Sequence, residues 1–427
     1  MTISRDNFTL KPGGKLIASI TVPGDKSITH RALILSAISS KQVTIKNWLS
    51  SLDCLGTLAA LSLMGVRISK LDNCSLEVEG VGLYGLSAPK QSIEVGNSGT
   101  ALRLLTGILA AQAFDSVITG DASLRKRPMQ RIITPLQQMG AKITAVNNDF
   151  APLNIQGGQS LKSINYTLPV ASAQVKSAIL LADLYAQGKS QINENIPTRN
   201  HTELMLNFFQ DNLQKNLVLE VPGDISSAAF FIVGATIATG SDVVLKNIGV
   251  NPTRTGVIEI LNLMGANIKL QALTMKNNEV IADLRVKAAK LKAINIPLEL
   301  VPKAIDEFPI IAIAAACAAG VTVIRGVQEL RYKESDRISA ITAGLTTLGI
   351  KTEVFADGLA IIGGQIKGGI IDSFGDHRIA MAFTMAALVA QQQIIIQDTQ
   401  NIATSFPEFL ATAQNAGLLI AKENCYV

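Results

Sequence analysis

Aromatic side chains are scarce in this sequence: one Trp, five Tyr and thirteen Phe make up 4% of 427 residues. Proteins that track nucleic acid stack bases on aromatics inside a strongly basic groove. Here 38 Lys+Arg stand against 33 Asp+Glu, a formal charge of only +5, so no nucleic-acid partner is expected. Cysteine and histidine are also few. Cys54, Cys74, Cys317 and Cys425, with His30, His201 and His377, are too widely spread for a CxxC or HExxH ligand set. No metal site and no disulfide framework is read, and a thiol-reduced cytoplasmic setting is expected. The opening Met1-Thr-Ile-Ser-Arg-Asp-Asn-Phe8 has charges where a signal peptide needs an apolar core, so export is not expected. The uncharged, strongly apolar stretch 308–324 falls short of the ~20 residues that span a bilayer. It contains Pro309 and Gly320 and reads as a buried helix running into a strand, with no membrane partner.

What the sequence does have is repetition. Six segments open with polar residues and turn continuously apolar: 26–39, 97–111, 172–186, 226–239, 306–319 and 376–390. Apolar on every face, they read as buried helices. A short β-branched run follows each, at 43–45, 116–119, 190–193, 242–245, 321–324 and 393–396. A second, amphipathic helix comes next, and five of the six end near a glycine suited to a C-cap: Gly65, Gly140, Gly265, Gly349 and Gly417. Six α/β units of about 71 residues each account for the chain. Val22-Pro-Gly-Asp25 returns as Val221-Pro-Gly-Asp224, so the units group into two halves of three, with crossings near 22 and 222. The expected domains are 23–222 and 1–22 plus 223–427. The alternative is that both Pro-Gly pairs are turns within one domain.

A buried helix can do chemistry only at its ends, and its first turn offers unpaired N–H groups and partial positive charge to an anion. Asp, Ser and Asn there read as N-caps, including Ser226, Thr255 and Asp376. Cations do not fit that reading. Lys26, Arg127, Lys333 and Arg378 stand at or near helix starts, where they oppose the macrodipole. Their recurrence points to an anionic ligand carrying several charges. Gly24-Asp-Lys-Ser27 lacks the Gly-Lys pair of a Walker A loop, Gly96-Asn-Ser-Gly99 is not a nucleophile elbow, and no GxGxxG occurs. Chemistry without a cofactor, on phosphorylated small molecules, is expected.

At these residues the sequence closely resembles the 5-enolpyruvylshikimate-3-phosphate synthase family, over nearly its whole length. The resemblance rests on Pro23-Gly-Asp-Lys-Ser-Ile-Thr-His-Arg31, Gly96-Asn-Ser-Gly-Thr100, Lys126-Arg-Pro128, Ser172-Ala-Gln174, Lys333-Glu-Ser-Asp-Arg337 and Asp376-His-Arg378. It implies a two-domain α/β enolpyruvyl transferase fold, each domain three βαβαββ units, whose cleft closes on ligand. The implied reaction adds the 5-hydroxyl of shikimate 3-phosphate to C2 of phosphoenolpyruvate while C3 is protonated; the adduct then loses phosphate. Two phosphates and two carboxylates held together call for Arg forks and Lys point charges. By resemblance, Lys26, Ser27, Arg31, Ser172, Ala173, Gln174 and Arg199 contact shikimate 3-phosphate. Lys26, Gly99, Arg127, Gln174, Arg337 and Arg378 contact phosphoenolpyruvate, and Lys333 lies near both. Asp306 resembles the base that takes the hydroxyl proton, against the plainer reading of an N-cap. Glu334 resembles the proton-transfer carboxylate at C3, and His377 assists proton traffic. His30 and His201 read as structural or supporting residues, and Arg103 equally as a helix-face ion-pair residue or a ligand contact.

Two departures stand out. One large branch of the family has a Lys before the Phe-Pro of the last helix, where this chain has Thr404-Ser405-Phe406-Pro407. Gly24-Asp-Lys-Ser27, Ser172-Ala-Gln-Val-Lys176, Arg199-Asn-His-Thr-Glu203 and Asn251-Pro-Thr-Arg254 instead resemble the second, glyphosate-tolerant class, in which Ala can replace Gly99. The nearest rival is an enolpyruvyl transferase acting on UDP-N-acetylglucosamine, often with a reactive loop cysteine. Cys54 and Cys74 flank an amphipathic helix and Cys317 lies in an apolar one, which suggests no such loop. A silent anion- or RNA-binding scaffold is the other rival, and it has no need of Asp306 and Glu334 among cations. A monomer is expected, since the repeat halves complete each other.

Overall fold

A computed structural model of the chain describes residues 4–212 and 215–426. It divides into two compact units. The medial unit is Gly24–Val221 with Met275–Glu279; the flanking unit is Met1–Pro23, Pro222–Thr274 and Val280–Val427. The chain leaves one unit for the other at Pro23/Gly24 and at Val221/Pro222. The sequence reading did not anticipate that the five residues at the tip of the 267–287 hairpin would fall with the medial unit.

All six apolar segments are helices, each ending earlier than expected and four of them starting later: Lys26–Ile38, Gly99–Leu109 and Ala173–Asp183 in the medial unit, and Ile225–Ile237, Phe308–Ala316 and His377–Ala386 in the flanking one. The six amphipathic helices are Leu52–Leu63, Gln130–Gln138, His201–Asp211, Gly256–Leu263, Arg337–Thr347 and Phe409–Ala416. After the five glycine-ended ones, Gly65, Gly140, Gly265, Gly349 and Gly417 take positive φ between 81° and 112°, the left-handed geometry that closes a helix without Cβ strain.

The sheets show the alternation that buries one face. In the medial unit, Val43 lies opposite Val78 and Ile45 opposite Leu76, with Leu217 and Leu219 aligned on the parallel side. All six side chains are buried. A second sheet runs Ile93–Glu94, Ser116–Thr119, Phe150–Gln156 and Lys142–Val146, and Asn165–Thr167 pairs with Gln191–Asn193. The flanking unit repeats the device, with Val243 opposite Val286 and Leu245 opposite Leu284. The two halves share local detail as well. Asn216–Glu220 runs parallel to Gln42–Lys46, as Ile17–Ile20 does to Asp242–Gly249. Asn47, just past its strand, and Asn247, at the register shift within Asp242–Gly249, are both left-handed at φ 54° and 53°.

The uncharged stretch 308–324 is the helix Phe308–Ala316 followed by the strand Val321–Ile324. Among the described residues no helix is long and apolar enough to cross a membrane. Helices in the flanking unit pack closely: a Cβ on Gly344 would come within 2.3 Å of the Phe383 ring, so only glycine admits that crossing. Phe230, Phe231, Phe406 and Phe409 meet at 5.6–6.2 Å between ring centroids. Phe231 is fully buried and meets Phe406 and Phe409. Phe231→Ala is expected to cost about 3–5 kcal/mol of stability, to be read from chemical denaturation of the purified protein.

Candidate active site

In the medial unit the polar side chains gather where buried helices begin. Asp25 caps the Lys26–Ile38 helix by accepting from the Ile28 N–H, and Ser98 and Ser172 cap the next two by accepting from the N–H groups of Ala101 and Val175, each such cap being worth about 1 kcal/mol. Lys26 is the first residue of its helix and pairs with Asp53 at 2.9 Å. Arg31, buried one turn on, donates from Nε to Thr202 Oγ1 at 2.7 Å, from Nη2 to Ser177 Oγ at 2.7 Å and from Nη1 to the Ser27 carbonyl at 2.9 Å. Its guanidinium ties three helices, and three of its five N–H bonds are used in doing so. Among the described residues the Ser27 hydroxyl makes no hydrogen bond.

Gln174 is held at both ends of its amide. Oε1 accepts from Arg103 Nη1 at 2.6 Å and Nε2 donates to Thr100 Oγ1 at 2.9 Å. Arg103 thus orients Gln174, a contact that neither reading of its sequence position included. Arg127 Nη2 donates to Asn97 Oδ1, and a Cβ on Gly99 would lie 2.9 Å from Arg103 Nη1 and 3.5 Å from Arg127 Nη1. Lys176 is buried between Glu194 at 2.9 Å and Glu203 at 2.8 Å, and reaches the Thr198 carbonyl at 3.4 Å. It ties down both sides of the half-buried Arg199.

His30 is buried, with Nδ1 at 2.7 Å from Thr57 Oγ1 and Nε2 at 3.5 Å from Ser98 Oγ. Burial, then the nearby charges of Lys26 and Arg31, push its pKa down to about 3, so the ring is neutral at working pH. His201 Nδ1 meets Glu279 at 2.6 Å. Burial raises the Cys54 thiol far above its ordinary pKa and Cys317 to about 12, leaving both thiols protonated and unreactive.

In the flanking unit, Arg337 organises the charges. Nε donates to Asp376 Oδ2 at 2.7 Å, and Nη2 to Glu334 Oε2 at 2.5 Å and Asp376 Oδ1 at 3.3 Å. Nη1 stands 3.8 Å from Asp306 and, although buried, makes no hydrogen bond among the described residues. Burial works to discharge this arginine, but Asp376 and Glu334 outweigh it and hold the pKa above the usual value. Removing one member of such a buried pair costs about 3–5 kcal/mol. Asp306 also pairs with Lys333 at 3.2 Å. Among the described residues Arg378 uses only Nη1, to the Asp306 carbonyl at 3.0 Å and toward Glu307 at 3.5 Å. His377 Nδ1 is 3.3 Å from Thr404 Oγ1.

Several expected positions shift. Helix Ile225–Ile237 is capped by Asp224, not Ser226, because Ser226 Oγ is drawn to Glu307. Asp306 lies in the turn before Phe308–Ala316, whose N-cap position is Glu307, so its carboxylate faces Lys333 and does not cap the helix. Arg127 and Lys333 sit in loops ahead of their helices, Arg127 being held extended by Pro128. Thr255 occupies an N-cap position without a side-chain cap bond, whereas Asp376 does cap, accepting from the Arg378 N–H. Sequence reasoning gave no role to Asp53, Ser177, Thr202, Glu307 or Arg254. Arg254 shows the same misplaced charge beside a helix start that marked Lys26, and Asp306-Glu307 is a double carboxylate before a wholly apolar helix. Asp53, Ser177 and Thr202 carry no local signal. Among the described residues no cluster of His, Cys, Asp and Glu is arranged to hold a metal ion.

A family model described as EPSP synthase (3-phosphoshikimate 1-carboxyvinyltransferase) matches residues 10–412. The chain belongs to the EPSP synthase family. It is 51% identical over 425 residues to a 3-phosphoshikimate 1-carboxyvinyltransferase of Methylococcus capsulatus, covering 96% of this chain and 97% of that one. A 3-phosphoshikimate 1-carboxyvinyltransferase of Acidithiobacillus ferrooxidans is 53% identical over 427 residues, with 97% and 98% covered. The fold is similar to a solved structure of EPSP synthase from Acinetobacter baumannii, with a TM-score of 0.86 and 47% identity, covering 98% of this chain and 100% of that one. The enolpyruvyl transferase NikO from Streptomyces tendae shares the fold at a TM-score of 0.76 and 14% identity, with 99% and 100% covered. The α/β enolpyruvyl transferase fold expected from the sequence is the fold found. As an EPSP synthase, the enzyme is a transferase of the shikimate pathway of aromatic amino-acid synthesis, a 3-phosphoshikimate 1-carboxyvinyltransferase. Membership implies shikimate 3-phosphate and phosphoenolpyruvate as its substrates.

His30 gives this EPSP synthase a defined acid response. Unfolded, the ring takes a proton below about pH 6.5, while the folded ring resists until about 3. Stability from the neutral ring is therefore whole above pH 6.5 and is lost as pH falls toward 3. Melting temperatures measured from pH 7 to 4 are expected to fall less steeply in His30→Asn than in the parent; equal slopes would contradict the assignment.

Proposed function

We propose that Asp306 takes the proton of the shikimate 3-phosphate 5-hydroxyl and that Glu334 exchanges a proton with C3 of phosphoenolpyruvate. The observation that carries this reading is the placement of two carboxylates on cations with donors to spare. Lys333 and Arg337 flank Asp306, Arg337 holds Glu334, and the Arg337 Nη1 hydrogens make no hydrogen bond among the described residues. In the addition step the hydroxyl oxygen bonds to C2 as its proton passes to Asp306, and C3 gains a proton from Glu334. In the elimination step C3 returns a proton, the C2–O bond to phosphate breaks, and the enol ether forms.

We assign phosphoenolpyruvate to Lys26, Gly99, Arg127, Gln174, Arg337 and Arg378. Shikimate 3-phosphate is assigned to Lys26, Ser27, Arg31, Ser172, Ala173, Gln174 and Arg199, with Asp306 and Lys333. The support is geometric. Gln174 is pre-oriented by Arg103 and Thr100, Gly99 leaves room between two guanidinium groups, and three of the six buried helices start with capped, cation-bearing turns. His377, set against Thr404, serves proton traffic in this reading, and the enzyme works as a cytoplasmic monomer.

Phosphate release from the purified protein is expected to require both substrates and to fall at least 100-fold in Asp306→Ala. Release with UDP-N-acetylglucosamine in place of shikimate 3-phosphate would redirect the acceptor assignment. The motifs around Lys26, Lys176, Arg199 and Arg254, with Thr404 in place of a lysine, support assignment to the glyphosate-tolerant class. An inhibition constant for glyphosate well above that of sensitive enzymes is expected. Gly99→Ala should raise it further, because the added methyl would press on Arg103. A constant as low as that of sensitive enzymes would remove this chain from the tolerant class.

A further inference from the structure

Glu307 has no part in the proton transfers above, yet it is a fully enclosed carboxylate beside them. Its side chain is fully buried and it lies one residue from Asp306. Oε1 accepts from Ser226 Oγ and stands 3.5 Å from Arg378 Nη1. Ser226 Oγ in turn accepts from Arg254 Nη2 at 2.8 Å, and the same Nη2 reaches Asp224 at 3.1 Å.

The direction of this chain of bonds is fixed by chemistry. A guanidinium only donates, so the Ser226 oxygen must accept from Arg254 and spend its one proton on Glu307. Glu307 is thereby held as an acceptor facing Arg378. A buried charge at this depth is costly unless it is paired and hydrogen-bonded, and Arg378 is the cation that meets it. Arg378 makes both of its side-chain contacts through Nη1, to Glu307 and to the Asp306 carbonyl. Among the described residues its Nε and Nη2 make none. One edge of the guanidinium is therefore clamped, and the Nε–Nη2 edge, a planar pair of donors suited to a carboxylate or phosphate, is left to a ligand.

We propose that Glu307 is a positioning residue of the transfer reaction. With Ser226 and Arg254 behind it, it sets the plane and rotamer of Arg378, so that the free edge of the guanidinium is presented to phosphoenolpyruvate before that substrate arrives. This rests on the assignment of Arg378 to phosphoenolpyruvate made above. Without the clamp, the long side chain samples rotamers at the start of the His377–Ala386 helix, where the macrodipole disfavours a cation, and the ordering cost falls on substrate binding.

The test is steady-state kinetics on Glu307→Gln, Ser226→Ala and Arg378→Gln, with each variant's fold checked by circular dichroism and its affinity for shikimate 3-phosphate by calorimetry. Glu307→Gln is expected to raise KM for phosphoenolpyruvate roughly tenfold while kcat and shikimate 3-phosphate affinity stay within about twofold. Ser226→Ala should shift the same constant in the same direction by less, and the double variant should fall short of the product of the two effects. A Glu307→Gln enzyme with parental KM, or one whose loss lies wholly in kcat, would overturn the proposal if Arg378→Gln loses phosphoenolpyruvate. Unchanged phosphoenolpyruvate affinity in Arg378→Gln would instead overturn the assignment on which it rests. Should Glu307→Gln fail to fold, Ser226→Ala decides: a parental KM there refutes the clamp.

Discussion

A cation at the start of a helix is an electrostatic misfit, and this enzyme is organised around making that misfit permanent. The N-terminal turn already carries partial positive charge from its unpaired N–H groups. Lys26, Arg337 and Arg378 nevertheless lie within the first two residues of their helices. Each is compensated by carboxylates, at least one of them distant in sequence: Lys26 by Asp53, Arg337 by Asp376 and the nearby Glu334, Arg378 by Glu307. The apolar lengths of the helices follow from the same need, because only a packed interior holds the compensating carboxylates still and dry enough to matter.

Compensation is uneven, and that unevenness is chemically useful. Arg31 spends its hydrogens on Ser27, Ser177 and Thr202, which serves geometry. Among the described residues Arg337 and Arg378 keep donors in reserve, on Nη1 in one case and on Nε and Nη2 in the other. Donors already oriented, and on Arg337 already desolvated, require little reorganisation when charge arrives, which is the condition for strong electrostatic stabilisation.

How much of this was legible in the sequence depended on the range of the interaction. The buried helices at 26–39 and 376–390 differ from the observed elements only at their ends, because an all-round apolar run leaves no exposed face and so no ambiguity of period. The glycines at 65, 140, 265, 349 and 417 read correctly because left-handed closure is a property of one residue. Lys26 and Arg378 announced themselves by opposing a local field. The partners that tame them did not: Asp53 is 27 residues from Lys26 in sequence, and Glu307 is 71 from Arg378. Ser226 shows the limit from the other side, since a serine at a helix start has a local explanation that tertiary structure overrode. The Met275–Glu279 tip fell with the medial unit for the same reason, no feature of those five residues alone assigning them there.

The order of the strands carries a consequence for how the protein is made. Ser4–Leu10 lies between Ile394–Gln397 and Ile420–Tyr426 in one sheet, with Phe8 opposite Ile396 and Leu10 opposite Ile420. Ser4–Leu10 is therefore made long before either of its neighbours, whereas the medial unit is complete but for a hairpin tip once residue 221 has emerged. Synthesis and folding run out of step in the flanking unit. Its N-terminal strand must wait with open edges through the translation of nearly the entire chain, a period of tens of seconds at ordinary elongation rates of roughly 5–20 residues per second. Contacts of such long range close slowly, so the nascent chain, more than the finished enzyme, is where this architecture is exposed to mispairing and where chaperones have the most to protect.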